Sequence, residues 1–400
     1  MMLLPKFYLV TKVGQLGLQE SSALSNQISM PRPQALTSSN VIAVKDSLKD
    51  ICTRFDFLGH RQQYLCTLNE NILNLYCDII AVKDILKDIC TRFDFLGHRQ
   101  QYLCTLNENI LNVVAAGARM GIEECQNQFK MSRWNCTTFG NTSQVFGSVL
   151  TFKSRETAFV YAISSAGVAY AVTRACSRGE LNECSCDNRV RLKKPRTSWQ
   201  WGGCSEDIHF GEKFSRDFVD SKEDEDSEEA LMNLHNNEAG RRIIRSRMQR
   251  VCKCHGMSGS CSVKVCWKRL PSFQQVGDIL ASRYEGAYFV KVVNNQRKRN
   301  VKRLRSAVRD AKQPNRTELV YMEESPDYCQ RNETLGILGT KGRLCNQRSL
   351  GLDGCKLLCC GRGYMTRIRE VEEKCNCKFV WCCNVKCEIC RYKREEYVCN

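Results

Sequence analysis

No run of about 18 apolar residues occurs in the 400-residue chain, so no stretch reads as a membrane-spanning helix. A clean export leader is missing as well. Met1–Val10 reads MMLLPKFYLV, apolar but interrupted by Pro5 and Lys6, with Lys12 following and no small-residue cleavage site. Taken alone, that start argues against export. The cysteines and sequons described below argue for it, so the expectation is an incorrect or truncated start. Acidic residues are the minority charge, 43 against 60 Lys and Arg, and the formal net charge is +17. Such a surface favours polyanions: sulfated glycans, acidic lipid or nucleic acid. No aromatic residues interleave the most basic stretch, so nothing supports nucleic acid as the partner.

What the chain has in excess is cysteine. There are 27, crowded toward the C-terminus, which reads as a disulfide scaffold made in an oxidising compartment. The odd total leaves at least one thiol unpaired or intermolecular. The length suits two or three domains.

The stretch from Cys252 to Trp267, CKCHGMSGSCSVKVCW, organises the rest. Cys252 and Cys254 would share one face of a strand, and Gly256 and Gly259 allow a tight reversal. Nested pairing, Cys254–Cys261 inside Cys252–Cys266, makes a stapled hairpin. The uneven spacing calls for a bulge or a strong twist. Ser258 sits at the tip. Three readings compete for it: a locked turn with an exposed serine, a nucleophile beside His255, and a metal site made by Cys252, Cys254, His255 and Cys261. The second lacks the spacing of a nucleophile elbow. The third has few of the spacings of a structural zinc site.

Residues 1–41 read as a poorly structured terminus. Ile42–Asn74 then recurs as Ile80–Asn112 with one mismatch, Ser47 against Ile85. Near-identity points to duplication rather than a solenoid, so residues 42–79 read as supernumerary; if they are real, Cys52 pairs with Cys66 and Cys77 is the odd thiol. The pairing of Cys90 and Cys104 is left open. From Asn107 the pattern turns helical, with Ile110, Val113, Val114, Gly117, Gly121, Cys125 and Phe129 forming a stripe. Its glycines suggest close helix packing, and Cys125–Cys136 would staple it to the Trp134 turn. Arg155–Cys176 is a second helix, buried on more than one face. Cys176, Cys184, Cys186 and Cys204 mark a stapled excursion containing Trp199 and Trp201. A third helical pattern runs from about Ser227 to Arg250, after an acidic run, Glu223–Glu229, placed for a helix N-terminus. Residues 294–317 are Lys/Arg-rich and read as a basic inter-domain linker. In residues 318–400 twelve cysteines accompany little apolar core, so disulfides must supply much of the stability. A thiolate cluster is the rival reading there. Asn135, Asn141, Asn315 and Asn332 head glycosylation sequons.

The run Cys252-Lys-Cys-His-Gly-Met-Ser-Gly-Ser-Cys261 resembles the signature of the Wnt family of secreted, lipid-modified signalling glycoproteins. The resemblance continues through Met232–Arg241, through Arg133-Trp134-Asn135-Cys136 and in the C-terminal cysteine pattern. It covers roughly residues 80–400 and is nearest to the family's founding, wingless-type member. It implies a disulfide-rich α+β fold: a mainly helical domain over 80–293 carrying the hairpin 252–266, and a small cystine-rich β-hairpin domain over 318–400. It implies the pairs 176–184, 186–204, 329–360, 345–355, 359–399, 375–390, 377–387 and a vicinal 382–383 (residues Cys176, Cys184, Cys186, Cys204, Cys329, Cys360, Cys345, Cys355, Cys359, Cys399, Cys375, Cys390, Cys377, Cys387, Cys382 and Cys383).

By the same resemblance Ser258 carries a monounsaturated sixteen-carbon acyl ester added by an acyltransferase, with no other cofactor and no enzymatic activity. Met257, Ser258 and Gly259 would enter the cysteine-rich domain of Frizzled receptors. Phe379, Trp381, Cys382, Cys383 and Val385 would form a second receptor-gripping tip. Recruitment of the low-density-lipoprotein-receptor-related co-receptor would start β-catenin signalling in development and cell-fate commitment. A lipid carrier during export, heparan sulfate in the extracellular matrix, and membrane surfaces reached through the acyl chain complete the implied partners.

Overall fold

The computed structural model describes residues 90–91, 96–107, 109–138, 146–192, 199–223, 227–295 and 301–400. The expectations for residues 1–41 and 42–79, including Cys52, Cys66 and Cys77, lie outside the described residues.

The body is built around one helix. α1 (His98–Cys104) and α2 (Ile110–Phe129) precede it, and α3 is Arg155–Arg178. Ser154 caps the start of α3 by accepting from the Thr157 amide, and Gly179 ends it at φ 72, a left-handed cap suited to glycine. Its mean hydropathy of 1.2 and length would let it cross a membrane, but 94% of that apolar window is buried inside the protein. Neighbouring helices cover it on all sides: α2, α4 (Ile208–Val219), α5 (Glu228–Ser246) and α6 (Phe273–Glu285).

Every residue named for the α2 stripe is buried. Its glycines do what the spacing suggested. A Cβ on Gly117 would stand 2.6 Å from the Gly167 carbonyl oxygen of α3, and one on Gly121 would crowd the Ile163 carbonyl. At the far end Phe129 meets Trp134 at 5.1 Å, Phe159 at 4.8 Å and Tyr284 at 4.9 Å, an aromatic cluster of tilted and edge-on rings.

Several elements differ from the sequence reading. The pattern beginning at Ser227 does start there: Ser227 accepts from the Ala230 amide, and Glu228 and Glu229 occupy the first turn. It stops at Ser246, however, and Arg247 and Arg250 are not helical. Gln249–Cys254 is strand β2, because every residue in it pairs with β3 (Lys264–Arg269). Helices α4 and α6 had no sequence expectation; Asp207 caps the first and a Ser272–Gln275 capping box opens the second. Within the stretch read as a linker, Val301–Ser306 is strand β5, paired antiparallel with β4 (Tyr288–Asn295). Its charges alternate with Leu304, which packs beside Met232, Val290 and Val320. A period of two under a coat of Lys and Arg hides a strand from a reading based on composition. Arg297, Lys298 and Arg299 lie outside the described residues.

The expected division at residue 318 also shifts. β6 (Val320–Tyr321) runs parallel to β4, and Leu319, Tyr328 and Ile337 belong to the main core. The C-terminal unit has a small core of its own, Cys345, Cys355, Leu358, Cys359 and Cys399. It carries β7 (Leu344–Cys345), the short helix α7 (Cys355–Leu358), and the long strands β8 (Tyr364–Val380) and β9 (Asn384–Cys399), in the order β7-β9-β8.

Candidate functional site

Two disulfide-held tips project from this frame. The first is the β2–β3 hairpin. Cys252 lies opposite Cys266 and Cys254 opposite Lys264 in an uninterrupted antiparallel register. The disulfides Cys252–Cys266 and Cys254–Cys261 are nested. The anticipated bulge is absent from the ladder. Residues 255–263 absorb the uneven spacing instead, and Cys254–Cys261 crosses that loop. His255 N–H donates to Val263 O at 2.7 Å, Gly256 N–H to Ser260 O at 2.7 Å, and Ser260 N–H to Met257 O at 3.1 Å. A Cβ on Gly256 would collide with the Ser260 hydroxyl, so only glycine fits there.

Ser258 sits at φ 53 and ψ 28, followed by Gly259 at φ 77. Two successive left-handed residues push the apex outward. Met257 is 91% exposed, and Ser258 and Gly259 are exposed with it. Among the described residues no group is hydrogen-bonded to the Ser258 hydroxyl. The hairpin base is anchored: β1 (Gln200–Trp201) runs parallel to β3, and Gly202 N–H donates to Cys266 O at 3.0 Å. Trp199 and Trp201 meet edge-on at 4.6 Å, with the Arg250 guanidinium 4.9 Å from the Trp199 ring centre. The tryptophan pair is therefore structural support. Sequence reasoning placed Arg250 on a helix and missed this contact.

The second tip joins β8 to β9. Phe379 lies opposite Val385 and Val380 opposite Asn384, leaving Trp381, Cys382 and Cys383 as the turn. Trp381 is 91%, Phe379 68% and Val385 62% exposed. Cys377–Cys387 and Cys375–Cys390 staple the strands beneath it. The vicinal Cys382–Cys383 bond implied by the resemblance is not formed: both are exposed thiols. They sit at φ 72 and φ 75, and neighbouring Cα atoms are ~3.8 Å apart across a trans peptide, below the ordinary disulfide span.

The remaining pairs are Cys90–Cys104, Cys125–Cys136, Cys176–Cys184, Cys186–Cys204, Cys329–Cys360, Cys345–Cys355 and Cys359–Cys399. The metal reading of Cys252, Cys254 and Cys261 fails on this chemistry, since a sulfur in a disulfide is not a thiolate. The sulfurs of Cys345, Cys355 and Cys359 lie within 4.8 Å of one another, but as members of two adjacent disulfides. At the sequons, Thr317 and Thr334 hydroxyls donate to Asn315 and Asn332 side-chain oxygens at 3.2 and 2.6 Å; Thr137 does the same to Asn135. Asn315 and Asn332 are exposed and Asn135 half-buried. Asn141 lies outside the described residues.

The fold and its tips define a disulfide-rich α+β protein that offers convex, exposed contact points. A family model described as the wnt family matches residues 92–400. Wnt-5b of Mus musculus is 49% identical over 296 residues, covering 72% of this chain and 80% of the relative. Human Wnt-5a is 48% identical over 295 residues, covering 72% and 76%. A chain of the solved complex of human WLS with WNT8A superposes with a TM-score of 0.53 at 40% identity, covering 73% of this chain and 94% of that one. The chain belongs to the Wnt family. The relatives named are Wnt-5 proteins rather than the founding, wingless-type member.

Proposed function

We propose that this Wnt-family chain is a secreted, glycosylated ligand whose Ser258 carries a monounsaturated sixteen-carbon acyl ester. The exposure of Ser258 at the apex of a doubly stapled loop carries this reading. An acyltransferase needs an accessible hydroxyl on a loop that does not collapse, and no described residue competes for this one. The attached chain would enter an apolar groove of a Frizzled cysteine-rich domain. About a dozen buried methylenes at ~0.8 kcal/mol each would contribute on the order of 10 kcal/mol before ordering costs. The 379–385 tip supplies the second contact, with Trp381 and Phe379 as aromatic anchors. Engagement of the low-density-lipoprotein-receptor-related co-receptor by the same ligand then starts β-catenin signalling.

The likeness to a chain solved with WLS supports a carrier during export, which a bound acyl chain would require. Exposed Lys291, Arg303 and Arg305 on the β4–β5 face support heparan sulfate as the matrix partner. A hydrolase using Ser258 and His255 is the weaker reading, because no oriented base among the described residues reaches the hydroxyl.

Intact-mass analysis of exported protein tests the modification: the peptide containing Ser258 is expected to carry one acyl group. Ser258→Ala is expected to keep the fold and lose most receptor affinity. Near-normal binding by that variant would refute the proposal.

A further inference from the structure

Between β7 and α7 the chain makes a loop, residues 346–354, closed at its neck by Cys345–Cys355. Its apex presents Leu350 at 91% exposure and Leu352 at 56%. Exposed leucines on a slack loop would mean little, but this loop is fixed from inside. Asn346 N–H donates to Asp353 O and Cys355 N–H to Asn346 O, at 2.9 and 3.1 Å. The Ser349 hydroxyl donates to Asp353 Oδ1 at 2.6 Å and accepts from Gly351 N–H at 3.0 Å. Arg348 N–H donates to Asn346 Oδ1 at 3.1 Å. Gly354 N–H donates to Gly351 O at 2.9 Å, and a Cβ on Gly354 would strike the Ser349 carbonyl.

Two consequences follow from that wiring. The leucines cannot fold back to hide. The backbone amides of Asn346, Arg348, Gly351 and Gly354 are satisfied within the loop or its neck, while those of Leu350 and Leu352 have no partner among the described residues, so the leucine side chains can enter the headgroup region only with the apex backbone still wet. Charge at the margin is positive. Arg348 and Lys356 are exposed and form no ion pair among the described residues. Asp353, the loop's carboxylate, is held by Ser349 and Asn346, hydrogen bonds that keep its pKa below the usual range and the group ionised, so the two cations outnumber one inward-tied anion. Paired apolar side chains on a rigid convex apex, flanked by cations, match the chemistry of a bilayer surface: acyl chains for the leucines and anionic headgroups for the arginine and lysine.

We infer that the 346–354 loop is a membrane-surface wedge, inserting Leu350 and Leu352 into the headgroup region of an anionic bilayer, independently of any acyl chain on Ser258. The test therefore uses the full chain carrying Ser258→Ala, so that its outcome does not depend on whether that serine is modified. Flotation with phosphatidylcholine vesicles, with and without phosphatidylserine, measures partition. The parent is expected to float with phosphatidylserine vesicles, and Leu350→Ser with Leu352→Ser to weaken that partition about tenfold or more. Arg348→Gln with Lys356→Gln is expected to weaken the preference for phosphatidylserine, the rest of the basic surface keeping part of it. The Leu350→Ser single variant, altering a side chain outside every core, guards against misfolding, with the free-thiol count unchanged as its check. Equal partition of parent and leucine variants would overturn the inference, since binding would then rest on the general basic surface. Failure of the parent to float on either vesicle would overturn it too.

Discussion

Glu238 shows how a single side chain here is controlled by its neighbours. Burial would raise its pKa, but hydrogen bonds from Arg216 and Arg242 and the charge of Arg241 prevail and pull it to about 2, from an ordinary 4.5. Arg242 Nε donates to Glu238 Oε1 at 2.6 Å and Arg216 Nη2 to Oε2 at 2.9 Å. A depressed carboxylate adds stability that is complete above its unfolded pKa and is lost as pH falls through its folded one. The contribution, on the order of 3 kcal/mol, should therefore be present above about pH 4.5 and fade toward about pH 2. Urea unfolding of wild type and Glu238→Gln should differ at neutral pH and converge in that acid window. At Ser258 the backbone rather than charge sets the limit. Ser258→Thr retains a hydroxyl but puts a β-branched residue at φ 53, a conformation that costs about 1 kcal/mol or more. Lower acyl occupancy by intact mass is the expected outcome.

Among the elements, α2 and α3 cross backbone to backbone. A Cβ on Gly167 would overlap the Gly117 carbonyl, and neither backbone can yield without moving its helix. Gly167→Ala should cost about 3 kcal/mol and lower the thermal midpoint, whereas Gly179→Asn at the open cap should be nearly neutral. The α2 glycines were legible in the sequence because they fall on the apolar stripe. Ser258 and the nested disulfides were legible because four cysteines frame one short Gly/Ser turn. α4 and α6 were missed although Phe210, Phe214 and Phe218, and Phe273, Val276 and Leu280, fall at helical spacing; their caps, Asp207 and Ser272, look like ordinary polar residues. β5 was hidden because its conformation is decided by a partner strand, β4, outside its own window, and its own composition is basic. The state of Cys382 and Cys383 depends on the local turn geometry, which spacing does not reveal.

At the scale of the molecule, one arginine ties the cystine-rich unit to the helical body. Arg343 donates to Lys130 O, Ser132 O and Arg133 O at 3.0, 2.6 and 2.9 Å, taking up the carbonyl of the α2 cap and two in the turn that follows it. Arg133 returns the contact with Nε to Leu357 O at 3.1 Å. Arg343→Met should cost about 2–3 kcal/mol, the sum of three hydrogen bonds from a charged donor partly offset by water. Hydrogen exchange should rise around residues 130–133 and 338–343, while the Ser258 hairpin stays protected.

The long β8–β9 ribbon is exposed along nearly all its length, and two disulfides near its tip stand where a core would otherwise be. Such a limb fails differently from the body that bears it. A gentle reductant should fray the Trp381 end while the helices persist, leaving a protein that looks folded by circular dichroism yet has lost the shape of its tip. Secondary-structure content alone is thus a poor certificate of an intact ribbon; the oxidation state of its last thirty residues is the better one.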